Sequence, residues 1–406
     1  MGDGADHDEV FLPFARPDID EDDITAVAAV LRSGWLTAGP AVRRFEEALA
    51  DRVGVPYVIA CASGTAGLHL AALAAGLGPG DAVAIPSLTA LATANAFLAT
   101  GADVILCDID PDTGLMRPAD LQAALPEHRR VNAICPVDLN GQPADPPGMA
   151  AAAAEIRAVV IEDAAHAFGT TYERQGETVA VGGCRDAAMT VFSFHPTKML
   201  AMGEGGAVCT ADHELAARLR RFRDHGMERT PIAFEGRSIA FDRSGAPNPW
   251  YYELHVPGMN YRVSDIHCAL GLSQLRRLDS FIARRRALVE KYDRLLAPFA
   301  PVVRPVARVP GAAPCWHLYV ALIDFEAVPV ERSEVVLGLR SVGIGSMVHY
   351  VPLHLQPYFI RRYGAQELPG AEKYYSQALS LPLFPAMEDA DVDRVVESLT
   401  RVLGLV

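Results

Sequence analysis

The chain has 406 residues, half of them hydrophobic and 21% charged, with a formal net charge of −14. This is the composition of a folded globular protein long enough for two or three domains. The acidic balance argues against general binding to nucleic acid or to an anionic membrane.

Residues 1–10, "MGDGADHDEV", are acidic and lack a basic stretch followed by an apolar one. They read as a disordered tail rather than a secretion signal. No apolar window of about 18 residues predicts a membrane span. The seven cysteines lie singly between Cys61 and Cys315. That spacing suits a reducing cytoplasm better than a disulfide framework or a structural zinc site.

From about residue 56, short apolar runs alternate with helical patterns. "PYVIACASG" is followed by the helix "TAGLHLAALAAGLG", and "DAVAIP" and "ADVILCDI" are separated by the helical "ALATANAFLATG". Then come "VNAICPVD", the helix-like "PPGMAAAAAEIR", "AVVIEDA", "AMTVFSF" and "GGAVCT". The alternation predicts an α/β fold with a largely parallel sheet covered on both faces, whose strand ends are the natural ligand site. The stretch 231–257, with Trp250, reads as a long excursion between domains. Beyond it, "SDIHCALGLSQLRRLDSFIARRRALVEKYDRLLA" predicts one long amphipathic helix with a break near Gly271. Two β-rich stretches, "HLYVALIDF" and "IGSMVHYVPL", and a last helix, "DADVDRVVESLTRVL", complete a smaller α+β domain. The boundaries are a large domain over 11–260 and a small one over 261–406.

Three features at predicted strand ends carry polar or reactive groups. "CASGTAG", with Gly64 and Thr65, presents backbone N–H groups at a helix start, where an anion is favoured. It matches neither a dinucleotide fingerprint nor a P-loop. "AVVIEDAAHAFG" carries Asp163 and His166 out of an apolar strand, and a carboxylate buried there requires a partner. "FSFHPTK" carries Ser193 and Lys198. Lysine is scarce, since Lys198, Lys291 and Lys373 are the only three among 36 basic residues. An amine can lose its proton and act as nucleophile or base, whereas a guanidinium stays charged. Each feature alone has a plainer reading: a strand–helix turn, a surface aspartate capping a helix, a structural histidine, a chance surface lysine. In this order on an α/β sheet they supply what pyridoxal phosphate (PLP) needs: an anion cradle, a carboxylate for the ring nitrogen and a Schiff-base lysine.

The motifs "SGWLTAGP", "ASGTAGLHLAAL", "GPGDAVAIPSLT", "CDIDPDTG", "NGQPAD", "IEDAAHAFG", "FSFHPTK", "GEGGAV", "DHGMER", "GMNYRVSDIHCALGLSQL" and "LPLFPAM" follow one another over about residues 11–400. In this the chain resembles the DegT/StrS-type sugar aminotransferases, PLP enzymes of fold type I (aspartate aminotransferase-like). The resemblance implies that Lys198 carries the cofactor and moves protons, Asp163 pairs with the pyridinium nitrogen, and His166 sits near the phenolic oxygen. It implies that Gly64, Thr65 and Ser193 hold the phosphate. Asn260, in "GMNYR", would reach the phosphate of a second subunit in a cytoplasmic homodimer with shared active sites. No metal is implied. The substrates it implies are L-glutamate and a nucleotide-linked keto sugar. Within the family, "HYVPLHLQPYF" and the stretch from Trp250 to Arg286 look most like the branch that aminates C4 of UDP-linked 4-keto sugars, nearer its pseudaminic acid members than its 4-amino-4-deoxy-L-arabinose members.

The chain departs from the family pattern at Ala90, where an aromatic ring usually stacks on PLP, at Asp138 and Asn140 in "PVDLNGQ", and at Ala201 and Met202. These changes are expected to surround cofactor and substrate. The alternatives are a C3 or keto-inositol aminotransferase, a PLP-dependent dehydratase, against which Lys198 and the scattered cysteines count, and an inactive sugar-binding or regulatory homologue.

Overall fold

The computed structural model describes residues 11–126 and 130–406. The acidic tail expected over 1–10 lies outside them. All seven apolar runs of the large domain form strands: β1 (Tyr57–Cys61), β2 (Ala82–Pro86), β3 (Asp103–Cys107), β4 (Ala133–Ile134), β5 (Val159–Asp163), β6 (Met189–Ser193) and β7 (Gly206–Thr210). They assemble in the order β1-β7-β6-β5-β4-β2-β3. β7 alone runs antiparallel to its neighbours, while the pairs among β2 to β6 are parallel. Helices cover both faces, which is why these strands read as unbroken apolar runs.

Helices α1 (Glu21–Ser33), α2 (Pro40–Val53) and α3 (Gly64–Ala74) come from the N-terminal part. Two residues separate β1 from α3, and the second of them, Ser63, caps the helix by accepting from the Ala66 N–H at 3.1 Å. It lies so close to β6 that a Cβ on Gly64 would stand 2.8 Å from Ser193 Cβ. Glycine there lets the helix start approach the end of β6. α2 has no N-terminal side-chain cap of its own. The buried Asp265 carboxylate does that work from a distant helix, accepting from Gly39 N–H at 2.7 Å and Ala41 N–H at 2.9 Å.

The long helix expected from residue 264 onward is two helices, Asp265–Leu275 and Leu278–Leu296. The break falls at Arg276–Arg277, not at Gly271. Arg277 caps the second helix and pairs with Asp18, Asp20 and Asp23 at the start of α1. Gly271 serves packing instead, since a Cβ there would stand 2.7 Å from Met202 Sδ and 2.8 Å from Phe45.

The C-terminal part holds a three-stranded antiparallel sheet of Val303–Pro305, Tyr319–Ile323 and Ala378–Leu381. Helix Leu278–Leu296 packs with the last helix, Asp389–Val402, beside it. "IGSMVHYVPL" forms no strand, contrary to expectation. Ile344 bridges to Leu12 and Met347 to Ser380, each at a single point. Gly345 and Pro352 fall within the segment, and glycine and proline disfavour a continuous ladder. The excursion over 231–257 is mostly irregular, pinned by a two-residue pairing of Met227–Glu228 with Glu253–Leu254. No helix among the described residues is long and apolar enough to cross a membrane.

Candidate active site

The C-terminal ends of β1, β5 and β6 open into one cavity of about 360 Å³. Gly64, Thr65, Asp163, His166, Ser193 and Lys198 all line it. A larger charged cleft of about 590 Å³ opens beside α2, among Arg43, Glu46, Arg220 and Arg262. The smaller cavity is the candidate site because it gathers the amine, the buried carboxylate and the helix start.

Each side chain is placed by a simple local device. α3 points its N-terminus at the cavity, and the first N–H groups of a helix have no partner within it. The Ser63 cap takes that of Ala66, which leaves the first N–H groups to face an anion with the helix dipole behind them. Asp163 is the last residue of β5 and is 4% exposed. Burial raises its carboxyl above the ordinary range, while the Thr93 hydroxyl, the Ala165 N–H and the Lys198 charge oppose that rise. Thr93 donates to Asp163 Oδ2 at 2.7 Å, and the Ala165 N–H to Oδ1 at 3.2 Å.

Lys198 sits on the loop between β6 and β7. That loop is closed at its base by the Phe194 N–H on the Gly205 carbonyl at 2.9 Å and the Met202 N–H on the Phe194 carbonyl at 3.0 Å. Its stem keeps some surface on the cavity while protein encloses the amine. Burial lowers the amine to about 8, partly offset by Asp163. His166 is 5% exposed. Burial first, then Lys198 and His349, pushes its ring well below the usual histidine range. Tyr350 Oη lies 3.3 Å from His166 Nε2, and His166 Nδ1 has no partner among the described residues.

Asn260 is the one expected site residue that the chain does not bring to this cavity. It is exposed and bridges to Asp224. Of the departures, Ala90 alone lines the cavity; the others correct the expectation that they surround cofactor and substrate. Asp138 is buried, its Oδ1 taken by the Ala144 N–H at 2.9 Å. Asn140 binds Tyr374 Oη through Nδ2 at 3.2 Å. Ala201 and Met202 are core residues. The peptide turns away from the cavity after Val137, which does line it.

Sequence reasoning missed Thr93, His317, His349 and Tyr350. The "T" of "ATAN" lies in the first turn of the helix Leu91–Leu98, but helical spacing does not say which carboxylate it meets. The other three come from the C-terminal part: Tyr350 lines the cavity, His317 meets the Lys198 amine and His349 lies near both Lys198 and His166, all through tertiary folding.

The cavity's groups fit PLP. The helix start suits a phosphate, the buried Asp163 a cationic ring nitrogen, the orphaned His166 Nδ1 a polar partner, and the weakly basic Lys198 an aldehyde.

Comparison with known proteins gives the same picture. Residues 17–400 match the model of the DegT/DnrJ/EryC1/StrS aminotransferase family. The spore coat polysaccharide biosynthesis protein SpsC of Bacillus subtilis (strain 168) is 39% identical over 396 residues, 97% of each chain. PseC of Helicobacter pylori, an aminotransferase involved in the biosynthesis of pseudoaminic acid, superposes with a TM-score of 0.86 at 26% identity, covering 98% of this chain and 100% of that one. The putative sugar aminotransferase Spr1654 of Streptococcus pneumoniae, solved in a PLP form, superposes with a TM-score of 0.85 at 28% identity, covering 97% and 99%.

Proposed function

The chain belongs to the DegT/DnrJ/EryC1/StrS aminotransferase family and is a PLP-dependent sugar aminotransferase, and from that premise we propose that it transfers the amino group of L-glutamate to C4 of a nucleotide-linked keto sugar. The observation that carries the reading is the meeting of the Lys198 amine, the buried Asp163 carboxylate and the α3 N-terminus around one cavity. The C4 position rests on the motifs shared with the C4-aminating branch and on the likeness to PseC.

PLP supplies an aldehyde that condenses with amines and a protonated ring that draws off the electron pair left at carbon. Gly64, Thr65 and Ser193 would hold its phosphate, and Asp163, whose anion is favoured by its two donors against the effect of burial, would pair with the protonated ring nitrogen. His166, which lines the same cavity, would sit beside the ring oxygen. Lys198 Nζ takes the α-proton of the amino donor and returns a proton in the second half of the exchange. An amine near 8 is suited to both directions at neutral pH. The donor's keto product leaves before the sugar enters, so one amine serves both halves.

Asn260 completes the phosphate site of a second copy. This is supported by its exposure near an apolar excursion, where Trp250, Tyr252 and Leu254 are 74%, 55% and 64% exposed.

The test is turnover with glutamate and a panel of UDP- and dTDP-linked 3-keto and 4-keto sugars, with the new amine located by nuclear magnetic resonance. Amination at C4 supports the proposal. Amination only at C3, or of a keto-inositol only, overturns the positional assignment. No turnover despite bound PLP favours an inactive homologue.

A further inference from the structure

Lys198 Nζ has one side-chain partner within hydrogen-bonding distance among the described residues, His317 Nε2 at 3.4 Å. His317 is 4% exposed. Its main chain is held on both sides. The N–H donates to the Asn140 carbonyl at 3.0 Å, and the carbonyl accepts from Arg285 Nη1 at 3.2 Å. The same nitrogen reaches the carbonyls of Trp316 at 3.2 Å and Leu383 at 2.9 Å. Trp316 has a φ of +55°, a region that costs a bulky residue free energy. Arg285 is 2% exposed, and among the described residues it pairs with no carboxylate. A buried cation and a strained backbone are thus both committed to holding the 316–317 turn.

A histidine buried for its own sake has both ring nitrogens satisfied. His317 does not, for Nδ1 has no partner among the described residues. The ring's polar contact is with the amine, and its face lies 4.3 Å, centroid to centroid, from the His166 ring. The effort of placing His317 is therefore spent on Lys198.

We propose that His317 is a positioning residue for Lys198, its Nε2 accepting a hydrogen bond from the protonated amine and fixing the direction in which that amine meets the cavity. The proposal rests on the reading of Lys198 as the amine that carries the cofactor and moves protons. A lysine side chain has four rotatable bonds, and a fixed acceptor limits where its nitrogen can go. His317 can remain an acceptor because burial first, and then the nearby Lys198 charge, holds its ring well below the usual histidine range. The other titratable groups facing the amine are Asp163, His166, His349 and Tyr350. None of these four is within hydrogen-bonding distance of Nζ.

The test is competitive acylation of the full-length, cofactor-free protein across pH, read by mass spectrometry as Lys198 labelling relative to the exposed Lys373. Removing an acceptor from a protonated amine makes the amine easier to deprotonate. His317→Leu is expected to lower the Lys198 labelling midpoint by about one pH unit. His317→Gln, whose amide oxygen can reach the same place, is expected to restore it. An unchanged or raised midpoint in the leucine protein overturns the proposal. So does an equal drop in both variants, which would assign the effect to packing. Should the leucine protein fail to fold, His317→Phe keeps the ring shape without the nitrogen and is judged by the same outcomes. The reading of Lys198 is decided separately, by whether Lys198→Ala loses the visible band of the lysine-bound cofactor, so either can fail without the other.

Discussion

The Thr93 hydroxyl donates to Asp163 Oδ2 at 2.7 Å, and Thr93 in turn lies 2.8 Å from Thr89, oxygen to oxygen. Both threonines are buried. Asp163 faces a conflict, since burial drives it toward the neutral acid while the proposed role requires the anion. A neutral hydroxyl relieves that conflict without adding a charge that would compete for the ring nitrogen. Thr93→Val is therefore expected to raise the Asp163 pKa further and to weaken PLP retention roughly tenfold, the scale of a hydrogen bond to a charged group. Fluorescence titration of apoprotein with PLP measures it, and Thr93→Ser should bind as the wild type does. Equal affinity in all three proteins would remove Thr93 from the site's electrostatics.

Lys198→Ala is expected to bind PLP without the visible band of a lysine-bound cofactor and to lose turnover by at least about 10²–10⁴-fold, the range of a positioned acid–base group. Lys198→Arg should fail equally, because a guanidinium does not release its proton at working pH. Absorption spectra before and after adding glutamate decide the point. A wild-type protein whose spectrum glutamate leaves unchanged would refute glutamate as donor.

The sheet was legible because parallel strands buried on both faces leave continuous apolar runs, as in "VVIED" and "MTVFS". Lys198 was legible for a compositional reason: arginine supplies nearly every other cation in the chain. What the sequence hid is what tertiary contact decides. Arg277, at the helix break, pairs with three aspartates more than 250 positions away. His317 meets Lys198 across 119 positions. "IGSMVHYVPL" has strand-like residues, yet its neighbours offer only single-point bridges.

Asn260→Ala is expected to leave the protein folded but to weaken PLP binding, most clearly at concentrations where the proposed dimer would persist. Its side chain is exposed and absent from the cavity of its own chain, so an effect on the cofactor requires a second copy. Mixing Asn260→Ala with Lys198→Ala subunits should regenerate one intact site per heterodimer and partial activity. Unchanged PLP affinity in Asn260→Ala, with no complementation on mixing, would place the residue outside the site.

Glu162 precedes Asp163 on β5 and points to the opposite face of the sheet, where the Thr190 hydroxyl donates to it at 2.7 Å. Burial, with Asp186 and Asp163 nearby, raises it from 4.5 to about 7. A carboxyl raised on folding binds its proton more tightly in the native state. Its contribution to stability is therefore undiminished below about pH 4.5 and is lost as pH climbs toward 7. Glu162→Gln keeps an acceptor for Thr190 and offers an amide donor toward Asp186 without the ionisation. The variant should gain about 1–3 kcal/mol relative to wild type on going from roughly pH 5 to pH 8. Urea unfolding at the two pH values measures that difference. An offset between the proteins that stays the same at both would show that Glu162 is not the group that titrates.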